Sequence, residues 1–152
     1  MKILIVDDHE IVREGVRTLL AKSRPEWDIC GEARNGRDAI VAARDLGPDL
    51  IIMDISMPGM SGLEVVPRLR QMGINSLVLM FTMHESSRLG SEARQAGAQG
   101  YVLKSQAAFD LVRAIDTLLA RGTFYGTPEP KKAPGEEPKP GVALCIDLAF
   151  AF

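Results

Sequence analysis

The feature that most constrains this chain is an alternation, from the first residue to about Arg121, of short apolar runs with segments of helical periodicity. Runs at Lys2 to Val6, Trp27 to Glu32, Asp49 to Met53, Ser76 to Phe81 and Gly100 to Leu103 read as five strands. Three are apolar almost throughout, as expected for strands covered on both faces. Between them, Val12, Val16 and Leu19 recur at helical spacing, as do Ala39, Ala43 and Leu46, then Leu89, Ala93 and Ala96, then Ala108, Leu111, Val112, Ile115 and Leu119. Repeated βα units on a mostly parallel sheet are therefore expected. Ser61-Gly62-Leu63-Glu64 has the spacing of a capping box and starts the third helix, while Pro67, a few residues on, predicts a late start or a kink. Gly97 and Gly122 stand where helices should stop.

The pattern ends at residue 122, which sets the expected domain at 1–122. Residues 122–141 carry four glycines and five prolines, so 123–141 reads as a linker. Alternation returns in 142–152, where Val142, Leu144, Ile146, Leu148, Phe150 and Phe152 face one way, which predicts an extra strand. It would add to an open sheet edge, of its own domain or of a neighbour, the latter giving a homodimer; the alternative is an unstructured tail.

Eighteen basic against twenty acidic residues, a net charge of −2, argue against nucleic-acid binding through phosphate neutralisation. No apolar run approaches a membrane span, and acids follow the first apolar run too soon for a signal peptide, so a cytoplasmic chain with no membrane partner is expected. Cys30 and Cys145 are far apart in sequence with no histidine at ligand spacing, and read as ordinary thiols.

In a parallel βα sheet, functional groups gather beyond the carboxyl ends of the strands. Here those ends carry Asp7 and Asp8 after the first strand, Asp54 after the third, Thr82 after the fourth and Lys104 after the fifth. Three carboxylates drawn together repel unless a cation joins them, and hard oxygen ligands suit Mg²⁺. With Mg²⁺ and Lys104 the site is neutral and able to screen an incoming phosphoryl group, which points to Asp54 as an acceptor forming an acyl phosphate. Thr82 and Lys104 would contact the transferred oxygens, and an ionised carboxylate needs no general base.

Asp7-Asp8-His9, Met53-Asp54 through Ser61-Gly62, Phe81-Thr82 and Gly100-Tyr101-Val102-Leu103-Lys104 resemble the receiver domain of two-component response regulators. His9, Arg13-Glu14-Gly15, Gly31-Glu32-Ala33 and Lys104-Ser105 resemble its NarL/LuxR type. The resemblance implies a flavodoxin-like, doubly wound parallel sheet of five strands in the order 2-1-3-4-5. It implies phosphorylation of Asp54 by a sensor histidine kinase or phosphotransfer protein, with Asp8, Asp54 and the Ser56 carbonyl as direct Mg²⁺ ligands and Asp7 acting through water. It implies a switch in which Thr82 moves toward the phosphoryl group and Tyr101 swings inward, reshaping the face built from the fourth helix, fifth strand and fifth helix. On this reading the chain is a switching module, not an enzyme with a substrate of its own.

Taken singly, His9 reads as a structural or solvent-facing residue, and Trp27, Met53, Met57 and Met80 as packing. Ser56 and His84, each two residues beyond a site residue, are expected to tune dephosphorylation. Phosphatases that pass through an aspartyl phosphate use an Asp-x-Asp arrangement, and Ser56 stands where the second acid would be. Helix-turn-helix output domains need on the order of 60 residues, more than follow Arg121, so none is expected within this chain. A single-domain regulator, a truncated or frame-altered DNA-binding transcription regulator, and an engineered tail all fit that ending.

Overall fold

The computed structural model describes residues 1–83 and 86–125. His84 and the apolar segment 142–152 lie outside them. The element order is β1 (Lys2–Val6), α1 (Glu10–Ser23), β2 (Asp28–Ala33), α2 (Gly36–Leu46), β3 (Leu50–Asp54), α3 (Gly62–Gln71), β4 (Leu77–Thr82), α4 (Ser87–Ala96), β5 (Gly100–Leu103), a 3₁₀ turn over Lys104–Gln106, α5 (Ala107–Leu119) and β6 (Phe124–Tyr125). All strand pairs are parallel, in the order β2-β1-β3-β4-β5-β6. The expected order of the first five strands is present, and a sixth joins the edge.

Strand alternation divides the core into two layers. Ile3, Ile5, Leu50, Ile52, Leu79, Phe81 and Val102 face α1 and α5, packing on Val12, Val16, Leu20, Leu111 and Ile115. Leu4, Val6, Ile51, Met53, Val78, Met80 and Tyr101 face the opposite way, against α2, α3 and α4. Every residue of β3 is buried, as a central strand covered by helices on both sides requires.

Several boundaries differ from expectation by one residue. β3 and β4 include Asp54 and Thr82, because Asp54 pairs with Phe81 and Thr82 with Leu103 in the ladder. The polar side chain marks the strand's last residue, not the residue after it. In α1 Leu20, not Leu19, is buried, and the buried stripe of α5 is Ala107, Leu111, Ala114, Ile115 and Leu118, with Leu119 42% exposed. Helix α3 starts at Gly62 and runs through Pro67; its capping box is formed, Ser61 Oγ accepting from the Leu63 N–H and Glu64 from the Ser61 N–H, both at 3.1 Å. Gly97 ends α4 in the left-handed region at φ 102°. After α5 that conformation falls instead on Arg121, at φ 63°, and the Gly122 N–H bonds back to the Thr117 carbonyl.

The expected linker also begins with structure: Phe124 and Tyr125 pair with Gly100 and Tyr101. Gly100 permits the approach, since a Cβ there would lie 2.5 Å from the Phe124 carbonyl oxygen.

Candidate functional site

Parallel pairing brings the carboxyl ends of β1, β3, β4 and β5 to one edge, and the loops leaving β1 and β3 diverge to opposite faces, α1 to one and α3 to the other. Asp7 follows β1 directly. Its N–H bonds to the Ala33 carbonyl at 3.0 Å, and its own carbonyl accepts from Arg13 Nη1 at 2.7 Å. Arg13 Nε in turn bonds to Glu32 at 3.2 Å, so β2 and α1 together hold the backbone that carries the acid pair.

Asp7, Asp54, Thr82 and Lys104 are buried, each 3% exposed or less. Lys104 Nζ lies 2.6 Å from Asp7 Oδ2 and 3.4 Å from Asp54 Oδ2, bridging the two carboxylates. Asp54 Oδ1 accepts from the Ser56 backbone N–H at 3.2 Å. Burial pushes the Asp54 carboxyl up to about 6; Lys104 opposes the rise, the Asp7 charge adds to it, and the Ser56 N–H opposes it.

Asp8 is more open, with its side chain 24% exposed. Asp7, Asp8, His9 and Asp54 each offer one ligand atom, and these atoms lie within 4.8 Å of one another. Asp7 Oδ2 and Asp8 Oδ1 are closed to solvent; Lys104 Nζ pairs with the first at 2.6 Å, and His9 Nδ1 lies 3.1 Å from the second. Three carboxylates against one ammonium leave an excess of negative charge in a buried pocket. The oxygen-rich donor set and this excess of charge fit a small, hard divalent cation.

Of the residues singled out from sequence, Asp7, Asp8, Asp54 and Lys104 meet in one pocket. Ser56 is exposed and joins through its backbone. Thr82 ends β4, one position past the partner of Asp54. A groove lined by Ile55, Ser56, Thr82, Ser86, Arg88, Leu89 and Glu92 runs from there toward α4. Tyr101 lies outside the pocket and is buried, 8% exposed, its ring 3.9 Å from the position a Cβ on Gly90 would take. Two residues were not assigned a role here from sequence. His9, read as structural, turns Nδ1 to both acids; its place beside Asp7-Asp8 was the available signal. Arg13 gave no signal beyond its motif, because its partners come from distant strands.

The fold and this edge define a doubly wound, flavodoxin-like α/β domain with an acidic pocket at its switch point. The chain belongs to the response regulator receiver domain family, whose model matches residues 3–116. It is 38% identical over 113 residues to the nitrate/nitrite response regulator protein NarL of Escherichia coli (strain K12), covering 74% of this chain and 52% of that protein. It is 41% identical over 122 residues to the transcriptional regulatory protein LnrK of Bacillus subtilis (strain 168), covering 80% and 55%. A crystal structure of a LuxR-family two-component response regulator from Aurantimonas sp. SI85-9A1 superposes with TM-score 0.77 at 40% identity, covering 81% of this chain and 87% of that one. The domain is thus a receiver of the NarL/LuxR type, and the chain spans about half the length of the curated relatives it matches. No helix among the described residues is long and apolar enough to cross a membrane.

Proposed function

We propose that this chain is a cytoplasmic phospho-accepting switch that takes a phosphoryl group on Asp54 from a sensor histidine kinase or phosphotransfer protein. The observation that carries the reading is the buried Asp54 carboxylate, bridged through Lys104 to Asp7 at the open edge of the sheet. An Asp54 oxygen attacks phosphorus, the bond from phosphorus to the donor's nitrogen breaks, and the electron pair stays on that nitrogen. Lys104, held between two carboxylates, is placed to follow the moving oxygens, and the Thr82 hydroxyl supplies a second contact. Asp8, Asp54 and the Ser56 carbonyl would hold Mg²⁺ directly and Asp7 through water, and the ion when bound offsets the pocket's charge and screens the phosphoryl oxygens.

The output face is α4–β5–α5, reached from Thr82 through the groove to α4. Tyr101, buried on β5, is the residue expected to move with Thr82 when Asp54 is phosphorylated. With Ser56 in place of a second acid, the chain is read as a relay and not as a phosphatase. Incubation with acetyl phosphate and Mg²⁺, followed by intact-mass measurement, should add one phosphoryl group to the wild type and none to Asp54→Asn. A wild type that stays unmodified overturns the proposal.

A second reading makes this chain the receiver half of a NarL/LuxR-type DNA-binding transcription regulator, favoured by its spanning about half of its relatives. A coding sequence continuing from Tyr125 into a helix-turn-helix would establish it, and one that does not would remove it.

A further inference from the structure

Arg13 and Glu32 belong to two of the motifs that resemble the NarL/LuxR type, and the phosphoryl-transfer chemistry uses neither. They meet at 3.2 Å, Arg13 Nε donating to Glu32 Oε1, while Arg17 Nη1, one turn along α1, lies 3.5 Å from Glu32 Oε2. The Arg13 side chain is largely covered, 14% exposed. β1 pairs with β2 as far as Val6–Ala33 and with β3 as far as Val6–Met53, so the Asp7 carbonyl lies past the last ladder pair on both sides. Arg13 Nη1 donates to that carbonyl at 2.7 Å. The Asp7 carbonyl shares one planar peptide unit with the Asp8 N–H and Cα, so fixing it sets the direction in which the Asp8 side chain leaves the backbone. Asp7 and Asp54 have holds of their own: Lys104 Nζ and the His9 N–H on the Asp7 carboxylate, the Ser56 N–H on that of Asp54. Asp8, the most open of the three acids, depends most on how its backbone is set.

We propose that Arg13, oriented by Glu32, is a positioning residue that aims the Asp8 carboxylate for Mg²⁺ binding. It acts through the Asp7–Asp8 peptide, and the inference rests on the proposed function's reading of the pocket. Charge and positioning predict opposite signs here. A guanidinium beside an acidic site repels a cation, so by charge alone its removal would tighten Mg²⁺ binding. A partner that holds a ligand in place has the reverse effect, its loss costing roughly 10–100-fold in metal affinity.

Calorimetric titration of the full chain with Mg²⁺ separates the two. Arg13→Met keeps the apolar stem and should lower affinity by about tenfold or more. Arg13→Lys keeps the charge without the rigid fork that reaches the carbonyl and Glu32 together, and should still lose at least about threefold. In an Asp8→Asn background, Arg13→Met should change affinity by less than about twofold, because the carboxylate it aims is gone. A second measurement needs no ion: amide NMR of the Mg²⁺-free protein should show the Asp8 resonance displaced in Arg13→Met and that of Ser56 unmoved. Unchanged or tighter Mg²⁺ binding in Arg13→Met overturns the proposal. So does full affinity in Arg13→Lys, an undiminished loss in the Asp8→Asn background, or an Asp8 amide that stays in place. A wild type that binds no Mg²⁺, or an Asp8→Asn variant that binds it as tightly as wild type, removes the reading of the pocket itself; intact binding that Arg13→Met leaves unaltered removes the Arg13 role alone.

Discussion

Asp54 carries a charge that its surroundings resist. Its carboxyl lies at about 6 in the folded chain against an ordinary value of 3.8, with burial the largest cause. A carboxyl raised by folding favours the folded state while protonated. That contribution is complete below about pH 4 and is lost as pH climbs through about 6. Near neutral pH the ionised Asp54 therefore lowers stability by up to about 3 kcal/mol. Asp54→Asn removes the charge while leaving an oxygen for the Ser56 N–H. Without divalent ions the variant should be about 1–3 kcal/mol more stable than wild type at about pH 7.5, and the gap should close toward about pH 4. Urea denaturation at the two pH values measures it, and a gap of equal size at both would show that the carboxyl's ionisation is not its source. The place of Asp54 at the carboxyl edge was legible from sequence because strand-end carboxylates converge in any parallel sheet; this cost was not, since it depends on how completely the Asp54 side chain is covered.

At the scale of the element, helix α3 couples the strand that carries Asp54 to the helical layer. Its capping box was readable because every partner lies within four residues. Gly62, the next residue, was readable only as part of that box, and the structure gives it a further reason. A Cβ there would drive into the Asp54 carbonyl oxygen and lie 2.8 Å from Met80 Cε, while the Gly62 N–H bonds to the Ile55 carbonyl at 2.9 Å. Ser61→Ala should cost about 1 kcal/mol through the lost cap and leave phosphoryl acceptance near the wild-type rate. Gly62→Ala should cost about 2–4 kcal/mol and also slow acceptance, because relief requires the Asp54 backbone to shift. Thermal denaturation and the rate of mass gain from acetyl phosphate distinguish the two; equal rates would mean that α3 yields without moving Asp54. The one-residue slip of the α5 stripe has a similar physical origin. Ala107, Ala114 and Leu118 are buried beneath the sheet, while the adjacent apolar Ala108 and Leu119 are exposed and Val112, though packed on the core, is only partly covered.

At the scale of the molecule, the strand order was legible through the likeness of the motifs, but the sheet is one strand wider than periodicity could show. Two residues are too few to display a period, and a neighbouring proline- and glycine-rich stretch hid them. What holds β6 is tertiary. Tyr125 Oη donates to the Ala98 carbonyl at 2.8 Å, the Phe124 N–H donates to the Gln99 carbonyl at 3.2 Å, and the Arg94 guanidinium of α4 stacks 4.4 Å from the Tyr125 ring centroid. The strand thus covers the free edge of β5 and ties it to α4, at the face proposed for output. Tyr125→Phe should remove one hydrogen bond, about 1 kcal/mol, and keep the arginine stack. Gly100→Ala should act more strongly, since the added carbon would meet the Phe124 carbonyl at 2.5 Å and push the strand from the edge. Amide hydrogen exchange at Phe124 should then quicken by about tenfold or more, while phosphoryl acceptance at Asp54 stays close to wild type because the pocket forms without β6. Unchanged protection at Phe124 in Gly100→Ala would mean that the edge tolerates the added carbon and keeps its backbone pairing with β6.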